Sequence, residues 1–241
     1  MVSKRPLAEK ISRIHLCWLL PGVAVAWIAF LFWDPKAAVR LTYEDHFIQW
    51  AQFVLLFLAA IYFLRIALAY NRHDHTRLVR NVFFVFFVST LILAMEEISW
   101  GQQIFGFETP EFVEKFNKQD ETNLHNAIYF QRFRHWLVIL TGAVGVFLAL
   151  LGSHHSKHLK ENRFDFFFPP KFFICTFSVI LLSGVLVEAA TVYKYFFPSD
   201  FAEIFRICCG RFIEIGELGI ALAALFYGAL KHKDLTDRST P

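Results

Sequence analysis

Apolar residues in this chain collect into six long runs that are separated by shorter, more polar segments. The runs cover residues 15–33, 47–70, 82–100, 135–152, 172–193 and 205–230. A helix needs about 20 mostly apolar residues to cross the hydrocarbon of a bilayer, and the six runs are close to that length or longer. Backbone polar groups in lipid must be satisfied within their own segment, so the runs should be helices. The pattern predicts an all-α membrane protein with six transmembrane helices.

Composition agrees with this prediction. Hydrophobic residues make up 56% of the 241 residues, and Phe alone accounts for 30. A soluble domain of this size does not need so much apolar surface. The sequence shows no internal repeat and no low-complexity linker, so we expect one integral membrane domain over residues 1–241.

The distribution of lysine and arginine predicts the orientation of the helices. Both residue types are concentrated in the two tails and in the loops 71–80 and 153–171, whereas the alternate loops are poorer or mixed in charge. Basic loops favour the cytoplasm, so both termini should be cytoplasmic, and we expect the chain in an inner (cytoplasmic) membrane. No clustered basic face suggests a nucleic-acid partner. The expected partners are membrane lipids, with other membrane proteins or a second copy of the chain as further candidates.

The loop between the third and fourth runs, residues 101–134, is the longest segment outside the predicted membrane spans. Thr109 followed by Pro110 has the pattern of a helix start, with Thr109 as the N-cap. Phe112, Val113 and Phe116 then follow at helical spacing, as in a helix that lies on a membrane surface. Two interpretations stay open: a lid that folds back over the helices, and an ordinary amphipathic connector.

Five acidic residues lie within the apolar runs or at their ends. The predicted topology puts all five toward the outer side of the membrane, which scattered structural acids would not be expected to share. An ionised carboxylate near hydrocarbon is costly, and it persists only with a partner, a polar cavity or a function. We therefore expect an outer polar site that contains Glu96, Glu97, Glu188, Glu214 and Glu217.

Helical spacing places small and hydroxyl residues beside these acids, as at a helix interface or a polar cavity. Gly184 and Thr191 share a predicted face with Glu188. On the third helix the predicted face comprises Ser89, Ile92, Glu96, Ser99 and Trp100.

Three interpretations of the acids stay open. In the first, carboxylates and one histidine bind a divalent metal ion, which activates water for a hydrolase or transferase that acts on a lipid or lipid-linked substrate. In the second, the acids form a structural ion-pair network with Arg211, in a non-enzymatic subunit of a membrane complex. In the third, they carry protons or cations. The predicted metal ligands are Glu96, His125, Glu188, Glu214 and Glu217, and the predicted catalytic set adds Glu97.

A longer motif connects the first two acids to the loop. Residues 96–106 read EEISWGQQIFG, Thr109 and Pro110 follow, and residues 123–126 read NLHN. This combination resembles a motif of uncharacterised bacterial polytopic membrane proteins, and the resemblance implies no activity. It groups Trp100, Gln102, Asn123 and Asn126 with the acids as substrate-binding or supporting residues, to which the ion-pair interpretation adds Arg211.

Overall fold

The computed structural model describes residues 7–34, 47–70, 77–115, 122–123, 128–155 and 167–239. Within these ranges the chain is helical apart from short turns, and no β-strand occurs there. The prediction of an all-α protein is confirmed. The long helices are α1 (Leu7–Trp33), α2 (Phe47–Ala69), α3 (Arg77–Glu97), α6 (Ile128–His155), α7 (Phe173–Phe196) and α8 (Asp200–Ser239), and the two short helices are α4 (Gln102–Phe105) and α5 (Glu111–Glu114).

Five of the long helices, α2, α3, α6, α7 and α8, are long and apolar enough to cross a membrane. The predicted first span falls in α1, whose shorter apolar part is Trp18–Phe30. The helix continues through Pro21. The structure therefore supports a multi-pass membrane protein with five candidate spans, and the sixth span stays a prediction.

The helix α8 extends well beyond its predicted span. It contains 40 residues, which at 1.5 Å per residue is about 60 Å, against about 30 Å for the hydrocarbon of a bilayer. Ser199 caps its start, since the amide of Ala202 donates to Ser199 Oγ at 3.1 Å and satisfies one of the free N–H groups of the first turn. Glu203 in the same region pairs with Lys194 of α7 and with Arg206.

The chain divides into two compact units. The first comprises Met1–Glu44 and His135–Ile220, and the second comprises Asp45–Arg134 and Ala221–Pro241. The helices α6 and α8 each contribute to both units. Whether the chain folds as the single domain predicted from the sequence stays a prediction.

In the first unit, glycines let the backbones of α6 and α7 come together. A Cβ at Gly142 would lie 2.6 Å from Leu181 Cα, and a Cβ at Gly184 would lie 2.6 Å from Ile139 Cγ1 and 3.1 Å from the carbonyl oxygen of His135. Small residues in membrane helices commonly serve this purpose, because lipid provides no hydrophobic drive for helix association. The predicted interface role of Gly184 is confirmed.

Glycines also allow close contacts between the other helices of the first unit. On α8, a Cβ at Gly219 would lie 2.7 Å from Leu20 Cδ2 of α1 and 2.9 Å from Ile180 Cγ1 of α7, and Gly216 packs against Ser183. Small residues on α8 therefore bring α1, α7 and the first half of α8 into contact.

The second unit packs α2 against α3 and the end of α8. Leu56, Ala94 and Ala221 form a buried core. Further toward the C-terminus of α8, the rings of Phe63 and Phe83 contact the ring of Tyr227. The Phe83 ring is stacked on it, with 6.4 Å between the centroids. Large aromatic side chains thus fill much of this unit.

The segment that follows α3 departs from the sequence prediction in one respect. Thr109 was expected to cap a helix that begins at Pro110, but the helix α5 begins at Glu111 with Pro110 as its N-cap and with no side-chain cap. The amides of Val113 and Glu114 donate to the carbonyl of Pro110. The hydroxyl of Thr109 also accepts a hydrogen bond from Gln102, described below, and its capping role stays a prediction.

Candidate functional site

Glu96 lies in the last turn of α3 and is 7% exposed. The indole Nε1 of Trp100 donates a hydrogen bond to Glu96 Oε1 at 2.5 Å. This hydrogen bond fixes the direction of the Glu96 carboxyl group. The structure thus joins two of the residues that the sequence motif grouped together.

The chain between these residues is held in an unusual conformation. After α3 ends at Glu97, Ser99 has φ 49°, Trp100 has φ 55° and Gly101 has φ 91°. Non-glycine residues adopt the left-handed region at a cost, and such strain of about 1–3 kcal/mol per residue persists only where the surroundings impose it. The left-handed turn Ser99–Gly101 is therefore maintained by contacts from elsewhere.

Side-chain hydrogen bonds from the following loop provide those contacts. The buried amide of Asn123 donates to Ser99 Oγ at 3.1 Å. Gln102 Nε2 donates to Thr109 Oγ1 at 2.9 Å, and Gln102 Oε1 accepts from the backbone N–H of Thr122 at 2.6 Å. The amide side chains of Asn123 and Gln102 therefore connect residues 99–102 to the loop, at Thr109 and at residues 122–123. This explains why the motif contains both amides.

Replacing Gln102 with methionine should remove both connections. We expect a loss of about 1–3 kcal/mol in local stability, because the partly buried N–H of Thr122 loses its acceptor. Hydrogen exchange of the Thr122 amide, followed by mass spectrometry, measures this directly. Gln102→Glu is the matched control: it keeps the acceptor for Thr122, and the Thr109 hydroxyl can donate to it. Equal protection of Thr122 in the methionine variant and the wild type would contradict the prediction.

The face predicted for the third helix is formed only in part. Ser89, Ile92 and Glu96 lie within α3 at helical spacing, whereas Ser99 and Trp100 lie beyond its end. The physical reason is that α3 ends at Glu97. Helical spacing does not apply beyond that residue, and the left-handed turn redirects the two residues that follow.

In the first unit, Glu188 is paired with a histidine that the sequence did not assign to the site. His135 Nδ1 lies 2.8 Å from Glu188 Oε1, and the two side chains are 28% and 31% exposed. The close approach of α6 and α7 at Gly184 accounts for the pairing, since Glu188 is one turn further along α7. In the sequence, His135 at the start of a span resembles an ordinary interfacial residue, so only the packing identifies its partner.

The other predicted site residues have varied positions. Glu97 is half-buried at the end of α3. Arg211, Glu214 and Glu217 are half-buried on α8 within the first unit. His125 and Asn126 lie outside the described residues. Each of these assignments stays a prediction.

The described residues contain no group of three or more His, Cys, Asp or Glu side chains that could hold a metal ion. The predicted ligand set includes His125, which is outside those residues, and acids from both units. The divalent metal therefore stays a hypothesis.

Sequence reasoning did not predict four partners that the structure gives to predicted site residues. In the second unit, Ser99 accepts from Asn123, and Thr109 and Thr122 bond to Gln102; in the first unit, His135 pairs with Glu188. Ser99, Thr109 and Thr122 lie within residues 96–126, the segment that contains the sequence motif. Their pairings depend on loop geometry, for which helical periodicity gives no signal.

No family model, no curated protein and no solved structure matches the chain. The resemblance of residues 96–126 to a bacterial membrane-protein motif thus gains no support from these comparisons. The site is defined by its geometry alone.

Proposed function

We propose that the chain is a multi-pass inner-membrane protein in which Glu96 and the left-handed turn beside it form a site for a lipid or lipid-linked substrate. The proposed activity is that of a hydrolase or transferase. The observation that carries the proposal is the strained turn Ser99–Gly101, held against the buried carboxylate by side-chain hydrogen bonds.

Backbone strain of this kind supports a functional role over a purely structural one. A helix can end without two non-glycine residues in the left-handed region, and such residues cluster at active sites and ligand clamps. Here the strain places the Trp100 indole on Glu96. A carboxylate held in a fixed direction is suited to accept a proton from a reacting group.

The surface beside Glu96 supports a lipid as the substrate. Large apolar side chains follow the turn directly, and Ile104, Phe105 and Phe107 are all exposed. Exposed aromatic and aliphatic residues on a short segment suit the boundary between headgroups and acyl chains. A substrate with an acyl chain could pack on them with its polar part near the carboxylate.

Gln103 adds a polar group with unused hydrogen-bonding capacity. Both atoms of its carboxamide are buried and have no hydrogen-bond partner among the described residues. A buried polar group without a partner costs about 1–3 kcal/mol. A polar group of a bound substrate would offset this cost, which supports a binding role for the segment.

Glu96→Gln tests the activity. The reconstituted protein is incubated with membrane lipid extract, and lipid turnover is followed by mass spectrometry. We expect turnover to fall about 100-fold or more, as for the loss of a general base, whereas the fold should survive because the amide oxygen can still accept from Trp100. Glu111→Gln, at an exposed acid of α5, is the matched control. Wild-type turnover in Glu96→Gln would remove Glu96 from the mechanism.

The second candidate is a non-enzymatic subunit of a membrane complex, or a cation or proton carrier. The observation that favours it is that Glu96 and Glu188 each have a protein partner, Trp100 and His135. Proton flux into proteoliposomes with an internal pH-sensitive dye separates the carrier from the enzyme.

The divalent ion of the metal hypothesis is tested by whether Zn²⁺, Mn²⁺, Mg²⁺ or Ca²⁺ raises the melting temperature of the washed protein.

We also propose that both termini are cytoplasmic and that the loop 101–134 is on the outer side, as the positive-inside rule predicts. Single cysteines at Lys233 and at Glu114, in a variant without the four native cysteines, report the two sides. A membrane-impermeant thiol reagent added to spheroplasts should label Glu114→Cys and leave Lys233→Cys unlabelled. The reverse pattern would overturn the orientation.

A further inference from the structure

We propose that the corner between α7 and α8, residues 192–207, binds the headgroup of a zwitterionic phospholipid with a primary ammonium group, as in phosphatidylethanolamine. The corner lies entirely in the first unit, and the proposed role of Glu96 does not use it. The inference rests on the insertion of α7 and α8 in a membrane, and it is independent of any enzymatic activity.

The short connection between the two helices places the corner at a membrane boundary. Both α7 and α8 are long and apolar enough to cross a membrane, and only residues 197–199 connect them. A chain that crosses the hydrocarbon and returns must turn at its edge, because an irregular connection in lipid leaves backbone groups unsatisfied. Lys194 and Arg206 lie within about 9 Å of this connection along their helices, and their long side chains can extend to the headgroups.

Four charged side chains form the polar part of the corner. Lys194 of α7 and Arg206 of α8 both pair with Glu203, and Arg206 Nη2 donates to Glu203 Oε1 at 2.7 Å. The exposed Asp200 precedes Glu203 by three residues, so the two acids are neighbours on the surface of α8. Two positive and two negative charges give this group a net charge of zero.

The two cations share one carboxylate and keep N–H groups for a further acceptor. The side chains of Lys194, Glu203 and Arg206 are between 38% and 41% exposed, so a headgroup can reach them. Exposed ion pairs contribute little to stability, and a phosphate can therefore join Glu203 as a partner of both cations. Arginine is suited to this role because its planar N–H groups bind phosphate oxygens in pairs.

The exposed residues around the charges follow the order of a lipid from its headgroup to its acyl chains. Ser199 and Asp200, at the connection, are polar. The aromatic residues beside them are 61–81% exposed, as is typical of side chains at a membrane interface: Tyr195, Phe196, Phe197 and Phe201. Further from the connection the exposed residues Val192, Ile204 and Ile207 are aliphatic.

The exposed Thr191 also fits a lipid environment. Its hydroxyl donates to the carbonyl of Val187 at 2.8 Å, so its hydrogen is satisfied within α7. An acyl chain can thus pack along this part of the corner while the headgroup contacts the charges.

A zwitterionic headgroup with N–H donors is the chemistry that matches these charges. Its phosphate accepts hydrogen bonds from Lys194 and Arg206, and its ammonium group donates to Asp200. Phosphatidylcholine has the same net charge but no N–H group to donate. Phosphatidylglycerol would bring a negative charge to a group of side chains that is already neutral, with no cation for Asp200.

Site-specific photo-crosslinking of the full chain tests the inference. The photoreactive residue p-benzoylphenylalanine replaces Phe201, and the protein is placed in nanodiscs with equal amounts of dioleoyl phosphatidylethanolamine, phosphatidylcholine and phosphatidylglycerol. Mass spectrometry of the crosslinked peptide identifies the bound lipid. We expect phosphatidylethanolamine adducts to exceed each of the others by about two- to fivefold, the range that a few exposed charge contacts supply.

The matched control carries the photoreactive residue in place of Phe147. This side chain is also exposed, on α6 of the first unit, and no charged residue lies within four positions of it in the sequence. Its adducts should follow the composition of the nanodisc.

Three variants assign the preference to the charges. The double variant Lys194→Gln and Arg206→Gln should lose the preference for phosphatidylethanolamine. Asp200→Asn should reduce the preference over phosphatidylcholine, because the ammonium group loses its charged partner. Lys194→Arg keeps the charge and should keep the preference, which separates loss of the headgroup contact from a general disturbance of the fold.

Three outcomes would overturn the inference. Adducts at position 201 that follow the nanodisc composition would show that the corner selects no headgroup. A preference for phosphatidylglycerol would make the corner a site for anionic lipids, and crosslinks to a second copy of the chain in place of lipid would make it a protein interface. None of these results bears on lipid turnover in Glu96→Gln, so this inference and the proposed function fail separately.

Discussion

Gly142→Ala is expected to lower the free energy of unfolding by about 1–3 kcal/mol, the usual cost of overfilling a tightly packed interior. The new Cβ would lie 2.6 Å from Leu181 Cα and 2.7 Å from Leu181 Cβ, with the Leu181 amide nitrogen also in contact. Backbone atoms cannot rotate away as the end of a side chain can, so α6 and α7 must move apart. The measurement is denaturant-induced unfolding of the purified protein in detergent.

Gly210→Ala is the matched control for this substitution. Gly210 is also a helical glycine in the first unit, and a Cβ there would meet nothing within 4 Å. Because alanine has a higher helix propensity than glycine, by about 1 kcal/mol in a helix interior, Gly210→Ala should leave stability unchanged or raise it. If both variants unfolded at the same denaturant concentration, the close contact between α6 and α7 would be refuted.

Separation of α6 from α7 should also affect the pair His135–Glu188, which depends on the same contact. With histidine labelled with ¹⁵N, we expect the His135 ring signals in the NMR spectrum of Gly142→Ala to shift or broaden, because Nδ1 loses its contact with Glu188 Oε1. This effect distinguishes a displaced helix from a general loss of stability, because His232 in the second unit should be unchanged.

Gly101→Ala is the second substitution with a large expected effect, about 1–3 kcal/mol from backbone strain. Gly101 has φ +91°, where an L side chain is strained, and a Cβ would lie 3.1 Å from Phe105 Cδ2. We expect the turn to relax and the Trp100 indole to leave Glu96, which a change in hydrogen exchange over residues 99–102 would report together with a lower melting temperature.

Gly106→Ala distinguishes the cost of a positive φ from the cost of crowding against Phe105. Gly106 also has a positive φ, +65°, but a Cβ there would meet nothing within 4 Å. It should therefore show only the cost of the left-handed conformation, about 1–2 kcal/mol, with exchange over residues 99–102 unaffected. A larger loss of stability in Gly106→Ala than in Gly101→Ala would contradict the proposed crowding at Phe105.

Helical periodicity and hydropathy predicted the helices well, because these properties are local. A run of about 20 apolar residues is enough to predict a helix in lipid, whatever it packs against. The predicted starts and ends of α2 and α3 agree with the structure to within a few residues. The predicted first span lies within α1, of which Trp18–Phe30 is the described apolar part.

The predictions about side-chain partners were less successful, because partners depend on where chains meet. Glu188 was expected to lie near the other acids, and the structure pairs its side chain with His135 on a different helix. That contact exists because Gly184 lets α6 approach. A glycine in an apolar run indicates a close approach, but the sequence does not say which helix approaches.

The sequence by itself determined that this protein is helical and that several helices are apolar enough for a membrane, and it grouped residues 96–126 in one motif. Only the tertiary structure decided how that motif is connected: Asn123 to Ser99, Gln102 to Thr109 and Thr122, and Trp100 to Glu96. The physical reason is the range of the forces involved. Hydropathy acts on each segment separately, whereas a hydrogen bond between residues that are 24 apart in sequence requires a particular turn, and here that turn is left-handed and strained.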